Sequence, residues 1–205
     1  THWIAQENAL YDSLLSDLGP PAEGGPAVRF MDAADMLGLG QVALQRVGWG
    51  AAFADFDHDG RQDLVVANGS TFENDAEPKG LRPQPSFLFW NRDGEAFHDI
   101  TPLVPALAEA HVSRGLAVSD YDNDGDIDIA IVDLDGGVRL LRNDIEKRGN
   151  WIKLRLRATP NGRAIAGGTG ASIVVRSGGV ARRRSVSSGS YLSQNSLTLH
   201  IGIGA

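Results

Sequence analysis

Two stretches of this 205-residue chain repeat one pattern 65 positions apart: Asp55-Phe-Asp57-His-Asp59-Gly60-Arg-Gln-Asp63 and Asp120-Tyr-Asp122-Asn-Asp124-Gly125-Asp-Ile-Asp128. Carboxylates at positions 1, 3 and 5 converge on one point only if the backbone curls tightly, and a glycine at position 6 permits that curl. The carbonyl of position 7 (Arg61, Asp126) and the carboxylate of position 9 (Asp63, Asp128) would then close the shell. Such an all-oxygen set suits Ca2+, which takes roughly six to eight oxygens, better than zinc. Without a cation the neighbouring carboxylates would repel one another. The candidate ligands are therefore Asp55, Asp57, Asp59, Arg61 and Asp63 in one loop, and Asp120, Asp122, Asp124, Asp126 and Asp128 in the other, with one Ca2+ expected in each. His58, at position 4, is expected to point outward as a surface residue.

An EF-hand would need a glutamate at position 12, where this chain has Val66 and Ile131. Position 9 is succeeded by a short apolar, β-branched run, Leu64-Val-Val-Ala67 and Ile129-Ala-Ile-Val132, which predicts buried strands instead of helices. The likeness extends beyond the loops. Gly50-Ala-Ala52 precedes the first as Gly115-Leu-Ala117 precedes the second, and Leu88-Phe-Trp-Asn91 comes after the first as Leu140-Leu-Arg-Asn143 does after the second. Upstream, Phe30-Met-Asp32 matches Phe97-His-Asp99, and Asn8-Ala-Leu-Tyr11 matches the strand before it, so residues 1–41 read as the tail of an earlier unit. Similarity at a fixed period marks a structural repeat. Trp49, Phe53, Phe87, Phe89, Trp90 and Phe97 flank these strands and are expected in the core. Asn68-Gly-Ser70 fits a glycosylation acceptor, but Asn-Gly is also a favoured hairpin turn, which is the preferred reading.

These units resemble the FG-GAP or VCBS repeats of integrin-type β-propellers. The two Asp-rich loops carry the resemblance, which covers residues 1–144. It implies four-stranded blades with a calcium loop between the first two strands. A propeller closes with about four to eight blades, whereas this stretch holds one whole blade and two partial ones. The remaining blades or a protein partner are expected to cover the open edges, because exposed strand edges invite pairing.

Beyond residue 148 the charge reverses. Residues 149–205 hold eight Lys or Arg and no Asp or Glu, whereas the first 148 hold 11 basic and 26 acidic residues. That shift places a domain boundary near Asp144 to Gly149. Apolar and polar residues alternate in Trp151–Arg157, Ala171–Val175 and Leu197–Ile201, with glycine pairs between, which predicts a small antiparallel β domain over 145–205. The segment resembles the ASPIC/UnbV domain, through Gly149-Asn-Trp151, Asn161, Arg163-Ala-Ile165, Gly170-Ala171, Gly189-Ser-Tyr-Leu-Ser-Gln194 and His200-Ile-Gly-Ile-Gly204. Combined with the preceding repeats, it is similar to the cartilage acidic protein family and its bacterial relatives. The Ala166-Gly-Gly-Thr169 insertion, and isoleucines in place of the family's usual Phe and Leu ending, depart from that pattern. The expected fold is thus all-β: partial integrin-type β-propeller blades followed by a small antiparallel β domain. Trp151 is expected to pack at the junction.

No apolar run approaches the roughly 20 residues that cross a bilayer. No charged-then-apolar leader opens the chain, which reads as a mature product or a fragment. With no cysteine there are no disulfides, and calcium is the better guide to location, because extracellular modules work with dissociation constants near 10⁻⁴ to 10⁻³ M. A secreted or periplasmic site is expected. Every strong motif is structural, which favours a calcium-stabilised, non-catalytic interaction or assembly module. The first rival is an enzyme or accessory factor of a bacterial biosynthetic pathway. Against it, the chain has no Gly-x-Ser-x-Gly elbow, no His-Glu-x-x-His and no cysteine nucleophile, and Gly167-Gly-Thr-Gly170 lacks the lysine of a phosphate loop. The second is polyanion binding through Lys153, Arg155, Arg157 and Arg182-Arg-Arg184, set against a solvated face or one docked on the acidic repeats. Aromatic residues are not interleaved with these charges, so no nucleic-acid partner is expected.

Overall fold

The computed structural model describes residues 6–13, 30–70, 80–134, 136–146, 149–157, 159, 166–187 and 189–204. Strands β1 (Tyr11–Ser13) and β2 (Phe30–Asp32) form an antiparallel pair. Next come β3 (Gly48–Ala54), β4 (Asp63–Asn68), β5 (Gln84–Pro85), β6 (Phe87–Arg92) and β7 (Ala96–Asp99), of which β3-β4-β6-β7 make one antiparallel sheet in that order. A short α1 (Pro105–Ala108) leads to β8 (Ala110–His111), which pairs with β5. Then β9 (Ser113–Ser119), β10 (Asp128–Asp133) and β11 (Gly137–Leu141) form a three-stranded sheet. The remaining strands, β12 (Asn150–Leu154), β13 (Ser172–Ser177), β14 (Val180–Ser185), β15 (Gly189–Ser190), β16 (Ser193–Gln194) and β17 (Leu199–Gly204), pair as β12-β17, β13-β14 and β15-β16. The architecture is all-β in separate antiparallel groups, and the described residues do not close into a propeller.

The inner strands β4 and β6 of the sheet β3-β4-β6-β7 are packed on both faces, which is why they read as continuous apolar runs. Strand alternation sends Leu64 and Val66 of β4, with Phe87 and Phe89 of β6, towards Ala34, Leu39 and Ala43 of the upstream segment. The opposite face, with Ala52, Ala54, Val65 and Ala67, packs on Leu116, Val118, Ile129 and Ile131 of the three-stranded sheet. At the centre of that contact a Cβ on Gly50 would lie 2.8 Å from the Arg114 carbonyl and Leu116, so only glycine lets β3 and β9 approach so closely.

The structure corrects several expectations. Phe87 and Phe89 are core residues and stack at 4.8 Å, but Phe53, which shares their face, lies on the edge strand β3 and is exposed. Asn68-Gly-Ser70 is not a hairpin turn: Asn68 ends β4 fully buried, its Nδ2 donating to Pro85 O at 2.9 Å, and Ser70 bridges to Arg82. Such burial also removes Asn68 as a glycosylation acceptor. Alternation after Trp151 persists as strand only to Leu154, so Arg155 and Arg157 are not on the strand with Lys153. Asn161 and Arg163–Ile165 lie outside the described residues.

Candidate metal centre

Each Asp-rich loop joins the first two strands of its sheet, β3 to β4 and β9 to β10. The two loops share one backbone course, with positive φ at position 4 (His58 63°, Asn123 62°) and at position 6 (Gly60 93°, Gly125 106°). Their hydrogen bonds coincide as well. The position-1 carboxylate accepts the position-6 amide, Gly60 N to Asp55 Oδ2 and Gly125 N to Asp120 Oδ2, both at 3.0 Å. Position 3 accepts from position 5, Asp59 N to Asp57 and Asp124 N to Asp122, both at 3.2 Å. Position 5 accepts from position 7, at 2.6 Å for Arg61 N and 3.0 Å for Asp126 N. These bonds leave Asp55, Asp57 and Asp59 with ligand atoms within 4.8 Å of one another, and likewise Asp120, Asp122 and Asp124.

The donor set fits a hard dication. In both loops the other oxygen of the first aspartate, Asp55 Oδ1 and Asp120 Oδ1, is buried with no hydrogen-bond partner. A buried carboxylate oxygen without a donor is costly. A cation held by the cluster would satisfy it.

Position 9 also holds the loop to its sheet. Asp63 accepts Phe56 N at 3.1 Å and Asn91 N at 2.8 Å, and Asp128 accepts Tyr121 N at 3.0 Å and Asn143 N at 2.8 Å. Each thereby ties the start of its loop to the end of the sheet's third strand, and neither belongs to the carboxylate clusters. The repeated asparagine noted in the sequence is thus a backbone donor to this carboxylate. Position 3 has its own outside neighbour, which sequence reasoning missed. Trp90 Nε1 donates to Asp57 Oδ2 at 3.1 Å, and its counterpart Arg142 lies 4.0 Å from Asp122 Oδ2. Both directly precede the repeated asparagine, so their place in the repeat was the available signal. Arg61 pairs with Asp59 at 2.9 Å.

His58 does not point outward. It is 1% exposed, with Nε2 3.6 Å from Asp126 Oδ1 of the other loop and its ring 5.0 Å from that of His200. The residue is buried because the C-terminal strands cover the loops. Trp151 sits where a Cβ on Gly125 would collide with its ring, the junction expected for it. Gly202 N donates to Asp55 Oδ2 at 3.0 Å, Arg184 Nη2 to Gly60 O at 2.9 Å, and Lys153 Nζ pairs with Asp120 Oδ2. His200 Nε2 lies 2.7 Å from Gly125 O. Asp55 and Asp120 both line one open cleft of about 600 Å³ beneath these strands.

Electrostatics separates the loops. Burial, then the charges of Asp59 and Asp57, push Asp55 up to about 6, and burial pushes Asp63 to about 7 against the amides of Asn91 and Phe56. Burial also raises Asp128. At Asp120 burial pulls the same way, but the hydrogen bond and charge of Lys153 outweigh it and hold the carboxyl below its usual range. Burial lowers His200 to about 4. Asp55 and Asp63 are raised in the folded state, so the metal-free fold gains protons between their unfolded value and about 7. The stability they contribute is full at low pH and lost as pH rises through about 6 and 7. In EDTA the melting temperature should therefore rise as pH falls from about 8 to about 6, a window in which His200 has only begun to oppose it. Calcium bound by the cluster would hold Asp55 ionised, so thermal melts at saturating calcium should show a smaller rise; equal slopes with and without the ion would refute this.

Residues 47–77 match the FG-GAP repeat family, and the match spans β3, the first Asp-rich loop and β4. The molecule is thus an all-β protein carrying an FG-GAP repeat, a repeat typical of extracellular proteins and of protein-interaction modules. No curated protein matches the chain. Among the described residues, no helix is long and apolar enough to cross a membrane.

Proposed function

We propose that the chain is a calcium-stabilised, non-catalytic assembly module that works outside the cytoplasm, its blades belonging to an incomplete stack of the propeller type. One observation carries this reading: the blade-on-blade interface inside the molecule has open counterparts at both ends. Val65, Ala67 and Leu88 of the first full blade pack against the second. Their counterparts by the 65-residue repeat and the Leu-x-x-Asn match are Ala130, Val132 and Leu140, where Val132 is 44% and Leu140 51% exposed. At the other end, strand pairing places Tyr11 opposite Asp32 as Phe89 lies opposite Asp99. Phe89 is buried, whereas Tyr11 is 68% exposed and the neighbouring Phe30 59%. The described residues after β11 turn back over the Asp-rich loops and add no blade to the open face.

Two faces that are complementary within one molecule suit head-to-tail docking of a like unit. Light scattering with size exclusion should find this 205-residue chain self-associated. Val132→Asp with Leu140→Asp should yield folded monomers whose melting temperature no longer depends on protein concentration, since each fully buried aliphatic side chain contributes about 1.5–3 kcal/mol to such a contact. A wild-type chain that stays monomeric at its solubility limit would refute self-docking.

The basic C-terminal strands support this reading better than a polyanion site. Lys153 and Arg184 are engaged by the loops, leaving Arg155, Arg157 and Arg183 exposed. Retention on heparin resin at physiological salt would reverse that preference.

A further inference from the structure

The first aspartate of each loop has the same inner arrangement but a different outer donor. Besides the position-6 amide, Asp55 Oδ2 accepts the neutral amide of Gly202 at 3.0 Å, whereas Asp120 Oδ2 takes the ammonium of Lys153. Both outer donors come from one two-stranded ribbon, in which Trp151 pairs with Gly202 and Lys153 with His200. The ribbon is fixed over the loops by Trp151 on Gly125, by His200 on Gly125 O at 2.7 Å and by Gly204 N on His58 O at 3.3 Å. The loops differ in cover too: Asp55 and Asp57 are buried and Asp59 is half-buried, while Asp122 and Asp124 are exposed.

We propose that this ribbon makes the two calcium sites unequal, the Gly202 amide strengthening the first and the Lys153 ammonium weakening the second, so that the first loop fills at lower calcium. The inference rests on the calcium reading above. An amide orients a ligating carboxylate without adding charge, and such outer hydrogen bonds are typically worth about 10–100-fold in metal affinity. Lysine orients its carboxylate too, but it already neutralises the charge that attracts the ion. It also sets a like charge beside a dication, where the repulsion is twice that felt by a monovalent ion. The buried first cluster is shielded less by solvent, which widens the difference. Because Asp55 is shared between the ion and the ribbon, calcium in the first loop and docking of the ribbon favour each other equally.

Calorimetric titration of the full chain with calcium tests this, with Asp57→Asn and Asp122→Asn assigning each step to its loop. The wild type should show two steps separated by about tenfold or more. Lys153→Gln, which keeps a donor and removes the charge, should tighten the second step about tenfold and leave the first in place. Lys153→Arg should keep the wild-type separation. A second step that is unchanged or weaker in Lys153→Gln, with Lys153→Arg folded and binding, overturns the proposal. Two equal steps in the wild type overturn it while leaving the calcium reading intact, and no uptake at all removes both.

Discussion

Stripping calcium is expected to lower the melting temperature of this protein by roughly 10–20 °C. Binding to the folded state alone stabilises it by RT ln(1 + [Ca]/Kd), about 2.7 kcal/mol per site at a hundredfold excess. Two sites give about 5.4 kcal/mol, and a chain of this size shifts by about 2–4 °C for each kcal/mol. The physical source is the acidic cluster: three carboxylates within 4.8 Å and a buried oxygen without a donor in each loop. Differential scanning calorimetry in EDTA and in millimolar calcium measures the effect. A melt that does not move after thorough chelation would end the structural role for the ion. Part of the loss should reach the C-terminal strands, since they dock on the loops through Gly202, Arg184 and Lys153.

The second large effect concerns Asp63. Its carboxylate accepts two backbone amides, Phe56 N and Asn91 N, in a buried place between β4 and β6. Asp63→Ala leaves both amides without an acceptor, at about 1–3 kcal/mol each, so a loss of about 2–6 kcal/mol is expected. A clamp and a ligand behave differently on chelation. If Asp63 is a clamp, the variant loses stability in EDTA as well as in calcium. Asp57→Asn, at a position inside the cluster, gives up one of the two hydrogen bonds that Asp57 accepts, from Asp59 N or Trp90 Nε1, and should lose markedly more stability in calcium than in EDTA. Equilibrium urea unfolding of both variants under both conditions separates the roles. An Asp63→Ala variant as stable as wild type in EDTA would show that the two amide bonds contribute nothing without the ion.

The two loops could be read directly because the curl is local. Glycine at position 6 and short carboxylates at alternate positions specify their own hydrogen bonds over five residues, and the structure repeats those bonds in both copies. Strands after the loops were equally legible from β-branched runs. The linear pattern could not show contacts whose partners lie far along the chain. Asp63 and Asp128 read as ligands, and the linear pattern does not show that each also accepts an amide from a residue 28 or 15 positions away. Phe53 reads as core, but it lies on an edge strand whose outer side is left open by the described residues. Trp90 reads as core packing, and its indole N–H instead donates to Asp57.

Local chemistry in the chain was enough to define two Asp-rich loops, their strands and the repeat that relates them, since each depends on residues within one turn or one strand. Only the tertiary structure decided what lies against those loops. His58 is buried between the first loop, Asp126 of the second and His200, because the basic C-terminal strands fold back onto acidic turns up to 147 residues earlier. That docking gives one loop a neutral amide and the other an ammonium. The repeat makes the loops alike, and the asymmetry comes from a ribbon that offers Gly202 of β17 to one and Lys153 of β12 to the other.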